Sequence, residues 1–147
     1  MNKKKIVNLI CVIVLILVVI GIYFVIMNKT NNDFSVLDNL SSIENDKNDI
    51  IKNENGKFYT YENESGIYIV FKVWKTTYTT SIDIRNINLR NTSYKGQTLE
   101  IELDVSVEEG EEDSLRDWPL TDQKYVIMKV NKDIEKLYVN GIEYEKV

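Results

Sequence analysis

The spacing of apolar residues changes twice along the chain. From Leu9 to Met27 nineteen residues carry no charge and no strongly polar side chain, and Ile6, Val7 and Asn8 extend the run to 22. At about 1.5 Å per residue such a helix spans about 33 Å, enough to cross a bilayer core of about 30 Å. Val and Ile are indifferent helix formers in water. In lipid, however, each backbone group must bond within its own segment, so the solvent overrides the propensity. The pattern predicts a transmembrane helix over residues 6–27 behind a tail of residues 1–5. A cleavable leader would have a shorter apolar core, of about 7 to 15 residues, and a small-residue cleavage site. Here the exit reads Tyr23-Phe24-Val25-Ile26-Met27-Asn28-Lys29, and Cys11 follows Ile10 too soon after the lysines to be a lipoprotein cysteine.

Residues 28–56 are rich in Asn, Asp, Ser, Lys and Glu, a composition that buries too little apolar surface to repay chain entropy, and they read as a polar stalk. Within it Phe34, Leu37, Leu40 and Ile43 recur every third residue, with Ile50 and Ile51 after a gap. That stripe predicts a weak amphipathic helix, with Asp33 placed to cap it. A short helix lying on the domain or on the membrane surface, and plain disorder, are both open readings.

Over residues 57–147 the period falls to about 2, the signature of strands. Lys57–Glu62 and Ile67–Lys75 flank Asn63-Glu64-Ser65-Gly66, and the second strand carries apolar residues on both faces, as a central strand does. Ile82 and Ile84 alternate, then the phase slips to Ile87 and Leu89, which predicts a β-bulge near Arg85-Asn86. Leu99, Ile101, Leu103, Val105 and Val107 point one way while Glu100, Glu102, Asp104, Ser106 and Glu108 point the other. One face of that strand is buried and the other wet. Residues 109–123 read as an irregular connection holding the only proline, and Tyr125–Val130 resumes as a strand. Leu137–Val139 and Ile142–Tyr144 flank Asn140-Gly141, the strongest short hairpin signal. The expected fold class is all-β: an N-terminal helix, then a small antiparallel β-sandwich or curled sheet of about seven strands.

Charge decides partners and orientation. The chain holds 18 Lys and Arg against 23 Asp and Glu, a net −5. Lys3, Lys4 and Lys5 precede the apolar run, so from Asn28 onward the balance is 15 against 23, or −8. A surface this acidic repels phosphate backbones, which excludes nucleic acid as a partner. The positive-inside rule places the three lysines in the cytoplasm and the β domain outside the membrane. Histidine is absent and Cys11 is the only cysteine, so disulfides, Cys/His zinc sites and histidine-based acid/base or nucleophile pairs are removed. The absence of Ala and the abundance of Asn, Ile and Lys fit an AT-rich bacterial genome.

No Ser-x-x-Lys, Gly-x-Ser-x-Gly, phosphate-loop or His-Glu-x-x-His motif occurs, and no carboxylate pair stands out, so the sequence offers no catalytic residue and calls for no cofactor or metal. The acidic run Glu108, Glu109, Glu111, Glu112 and Asp113 does not match an EF-hand loop and reads as a solvated surface. The acids of the alternating strand are offset in this reading by cross-strand cations, with Lys72, Lys75, Arg85, Arg90 and Lys129 the candidates. Trp74 and Trp118 are the aromatics to watch. Trp118 precedes Pro119 in a connection, where a cis bond would turn its ring outward. Trp118, Pro119 and Trp74 are therefore the candidate partner-binding residues.

Gly66-Ile67-Tyr68-Ile69 opens one strand, Thr98-Leu99-Glu100-Ile101-Glu102-Leu103 is acidic and alternating, Trp118-Pro119 stands in a loop, and Tyr125–Val130 leads on to Val139-Asn140-Gly141. In these features Gly66 to Tyr144, about half the chain, resembles the C-terminal domain of the bacterial protease-complex B-subunit family. The departure is Leu120–Lys124, which stands where the family pattern begins its next strand almost at once. The resemblance implies an exported, non-catalytic β domain that helps to assemble or stabilise a surface protease. The expectation is a single-pass membrane protein whose extracytoplasmic domain binds another protein. A cell-wall or glycan-binding module using exposed aromatics is the alternative, and a carboxylate hydrolase a weaker third.

Overall fold

The computed structural model describes residues 11–22, 33–110 and 119–147. It divides into two compact units, Met1–Asp33 and Phe34–Val147. In the first, residues 11–22 form a helix, α1, whose apolar side chains are exposed. At about 1.5 Å per residue this stretch is about 18 Å long. Among the described residues no helix is long and apolar enough to cross a membrane. The span expected over residues 6–27 is therefore not supported by α1, and its two ends fall outside the described residues.

The second unit is all-β. Its elements are β1 (Phe34–Leu37), α2 (Asn48–Asn53), β2 (Lys57–Asn63), β3 (Gly66–Thr77), β4 (Ile82–Lys95), β5 (Thr98–Glu109), β6 (Leu120–Val130), β7 (Lys136–Val139) and β8 (Ile142–Lys146). The eight strands form one sheet in the order β1-β6-β3-β2-β8-β7-β5-β4. That sheet curls into a nearly closed barrel, the curled alternative rather than the sandwich, and where it nearly closes the Ile84 amide donates to Asp122 Oδ2 at 2.6 Å. The pairs β2–β3, β4–β5, β7–β8, β1–β6 and β3–β6 are antiparallel, whereas β2–β8 and β5–β7 are parallel.

The interior collects inward residues of β2 to β7: Phe58, Ile69, Phe71, Ile84, Leu99, Ile101, Val126 and Leu137, each at most 2% exposed. β5 follows its expected alternation. Its outward acids meet cations of β4: Arg85 Nε lies 2.5 Å from Glu108, Arg90 Nε 3.4 Å from Asp104 and Lys95 Nζ 2.9 Å from Glu100. Lys72, expected among those cations, is buried instead. The register of β4 on β5 shifts between Ile84 and Asn86, where the bulge was expected, and again between Leu89 and Asn91. Asn140 and Gly141 both have positive φ, 51° and 79°, as a type I′ turn requires.

Two segments differ from expectation. From Phe34 onward the polar stretch is part of the domain. Leu40 and Ile51 are buried with Tyr59, Val70 and Tyr125 in a second core on the outer face of β2, β3 and β6. The three-residue spacing of Phe34 and Leu37 belongs to a strand, so Asp33 caps no helix there. α2 begins only at Asn48, preceded by Lys47, and lacks a side-chain cap. β6 starts at Leu120, directly after Pro119, five residues before the expected Tyr125.

Candidate functional site

The hairpin of β2 and β3 is closed by the Asn63↔Gly66 pair, and its paired register ends at Phe58↔Phe71. β3 continues to Thr77, held on its other side by β6 as far as Thr77↔Leu120. β8 lies beside β2 only at Lys57↔Glu145 and Phe58↔Lys146. Gly56, at φ +68°, turns the incoming chain out of the line of β2, and its carbonyl accepts from the Glu145 amide at 2.8 Å. Beyond that point β3 (Trp74–Thr77) and β8 (Ile142, Glu143) have no strand between them among the described residues. The wall of the barrel is notched there.

Aromatic rings line the notch. Tyr144, 4% exposed, donates its hydroxyl to the Lys72 carbonyl at 2.9 Å and so bridges β8 to β3. Burial pushes its phenol far above the ordinary tyrosine range, so the hydroxyl stays a donor. Its ring meets Phe71 edge-on at 5.7 Å and Trp74 at 6.0 Å. Above them an open cavity of about 170 Å³ is lined by Trp74, Leu103, Val105, Val139, Ile142 and Tyr144, with the exposed Lys75 and Asn140 beside it. Ile142 is 56% exposed. Among the described residues Lys75 is the only ionisable group in the lining apart from the tyrosine phenol, so these residues offer apolar contact and one cation.

Lys72 stands behind the notch. Its residue is 3% exposed, and its ammonium donates to the Lys52 carbonyl, in the last turn of α2, at 2.9 Å. Burial holds its pKa below the ordinary lysine value. The side chain thereby fastens α2 to the sheet, while the carbonyl of the same residue holds Tyr144.

Of the residues singled out from sequence, Trp74 is half-buried in the notch. Pro119 is exposed, just before the Thr77↔Leu120 pair, about 13 Å further along the strand direction at about 3.3 Å per residue. The structure does not bring it to Trp74. Glu108 and Glu109 are exposed at the end of β5, and Glu108 is paired with Arg85. Trp118, Glu111, Glu112 and Asp113 lie outside the described residues. Among the described residues no group of three or more acidic, His or Cys side chains could hold a metal ion.

Tyr144, Ile142 and Asn140 were missed as site residues. A signal existed: β2 has seven residues and β3 twelve, and a hairpin fixed at Asn63↔Gly66 leaves the end of β3 without its first partner. No protein-family model, curated protein or solved structure matches the chain.

Proposed function

We propose that the chain is a single-pass membrane protein whose extracytoplasmic β domain binds another protein at the cell surface without catalysis. The observation that carries this reading is the notch between β3 and β8, which leaves Trp74, Ile142 and an apolar cavity open to solvent. Aromatic anchors beside an apolar pocket are what energetically dominant contact sites are made of. The apolar run from Leu9 to Met27, with lysines ahead of it, supports the anchor and its orientation. Tethering raises the effective concentration of the domain near any partner at the same membrane. The resemblance of Gly66–Tyr144 to the B-subunit domains of bacterial protease complexes favours a surface protease as that partner. β6 starts at Leu120, directly after Pro119, which is compatible with that resemblance.

The test uses the full chain in intact cells, with a photo-crosslinking residue in place of Ile142 and a tag after Val147. The expected results are a tag accessible from outside and a single protein adduct that Trp74→Ala reduces about tenfold. A tag reached only from inside overturns the topology. An adduct to wall glycan in place of protein moves the reading to the glycan alternative.

A further inference from the structure

We propose that the notch receives an extended, Lys- or Arg-bearing segment of the partner as an added strand between β3 and β8. This rests on the protein-binding reading and names how the partner is held. The backbone supplies the first argument. Residues two apart on a strand present their N–H and C=O to the same side. Gly66 closes the hairpin with β2, and the Lys72 carbonyl accepts from Tyr144 on that same side, so Trp74 and Thr76 face the notch. On β8 the Glu145 amide bonds to Gly56, so Glu143 also faces the notch. A strand lying where β2 would continue meets hydrogen-bonding groups from both walls, which is the arrangement used in strand addition.

The other edges are blunted. β4 is bulged twice and carries Arg85, Arg90 and Lys95, and β1 has four residues. Bulges, charges and short length are the usual protections of an edge against pairing. The end of β3, Trp74-Lys75-Thr76-Thr77, is paired to β6 without a bulge and is rich in strand-forming residues.

Side chains set the chemistry of the occupant. The cavity of about 170 Å³ exceeds the roughly 150 Å³ that accommodates benzene in an apolar site, so it takes one Leu, Ile or Phe side chain of the added strand. Phe34–Val147 carries 14 cations against 22 acids, a net −8. Glu143 is exposed on β8 beside the notch, outside the cavity, and Asp83, Glu108, Glu109 and Asp122 lie on the adjoining strand ends, where Asp83 and Glu108 share the one guanidinium of Arg85. Among the described lining residues Lys75 is the single opposing cation. An incoming segment with Lys or Arg flanking its apolar residue complements this end of the barrel.

The experiment titrates the isotope-labelled full chain in detergent micelles with the peptide acetyl-Lys-Thr-Leu-Lys-Val-Thr-Lys-amide. Comparison peptides have alternate amides N-methylated, or Glu in place of Lys. Expected are amide shifts centred on Trp74–Thr77 and Glu143, an about tenfold weaker response to the methylated peptide, and weaker binding of the Glu peptide. Thr76→Pro removes one notch-facing N–H and lowers affinity about tenfold, with folding checked by circular dichroism. Equal binding of the methylated peptide, shifts confined to other surfaces, or no shift at about 1 mM peptide overturns strand addition. The crosslink at position 142 separates the two readings. An adduct lost with Trp74→Ala but kept with Thr76→Pro leaves protein binding standing and removes strand addition, whereas an adduct indifferent to both removes the notch as the binding site.

Discussion

The side-chain amide of Asn140 pairs with the backbone of Leu103 as a peptide group would. The Leu103 amide donates to Asn140 Oδ1 at 2.7 Å, and Asn140 Nδ2 donates to the Leu103 carbonyl at 3.1 Å. The Asn140 amide donates to Ile101 O at 2.9 Å, so the parallel ladder of β5 and β7 continues one residue into the turn. The turn residue is thus held by its neighbour strand as well as by its φ.

Asn140→Gly keeps a residue that tolerates positive φ and removes both side-chain bonds. It is expected to cost about 1–2 kcal/mol, read as a fall in Tm of about 5 °C. Asn140→Ala is expected to cost about 1 kcal/mol more, because it adds left-handed strain to the same loss. Urea unfolding of the two variants side by side measures the difference.

Tyr144→Phe leaves the ring contacts with Phe71 and Trp74 and removes only the bond to Lys72 O. A loss of about 1–2 kcal/mol is expected, with faster amide exchange concentrated along Lys72–Lys75. Hydrogen exchange read residue by residue distinguishes this from uniform destabilisation.

Stability should depend on alkaline pH through one lysine and two tyrosines that act in opposite directions. Lys72 has its pKa lowered by burial, so between that value and the ordinary lysine value the unfolded chain binds more protons and stability rises with pH. That contribution is present above the unfolded pKa and lost as pH falls through the folded one. Tyr59 and Tyr144 have theirs raised by burial, so above about pH 10 the unfolded phenols ionise first and stability falls. Against Lys72→Met, the parent protein should gain relative stability as pH rises towards about 10, and Tyr144→Phe should soften the fall beyond it. Denaturant midpoints taken across pH 8 to 11, about the range of these transitions, check both signs.

Leu40→Ala tests whether residues 34–53 belong to the fold. Leu40 is 1% exposed in the outer core, so its truncation is expected to cost about 2–5 kcal/mol. A residue of a solvated spacer would cost less than about 0.5 kcal/mol. Chemical unfolding of the full chain decides between these values.

Local pattern made much of the barrel legible. The alternation of Leu99–Val107 gave β5 and its outward acids, the phase slip before Ile87 gave the first bulge, and Asn140-Gly141 gave the last hairpin. The N-terminal portion was opaque for a geometric reason. Residues three apart lie on one side of a helix but on opposite sides of a strand, and Phe34 packs on the barrel interior while Leu37 packs on the outer core. Polar residues also hid the start of β6, since Asp122 caps the Ile84 amide and Lys124 meets Asp38. The notch was less legible still. Trp74 drew notice as an aromatic, but its setting depends on Tyr144, seventy residues later, and on a parallel pairing that no local spacing announces.

Lys72 carries two attachments in different directions, its ammonium to α2 and its carbonyl to Tyr144. Peeling α2 away would hydrate that ammonium and slacken the strand beneath it, loosening the tyrosine on the far side. The convex exterior and the mouth of the barrel are therefore attached to the same residue, one through its side chain and the other through its carbonyl.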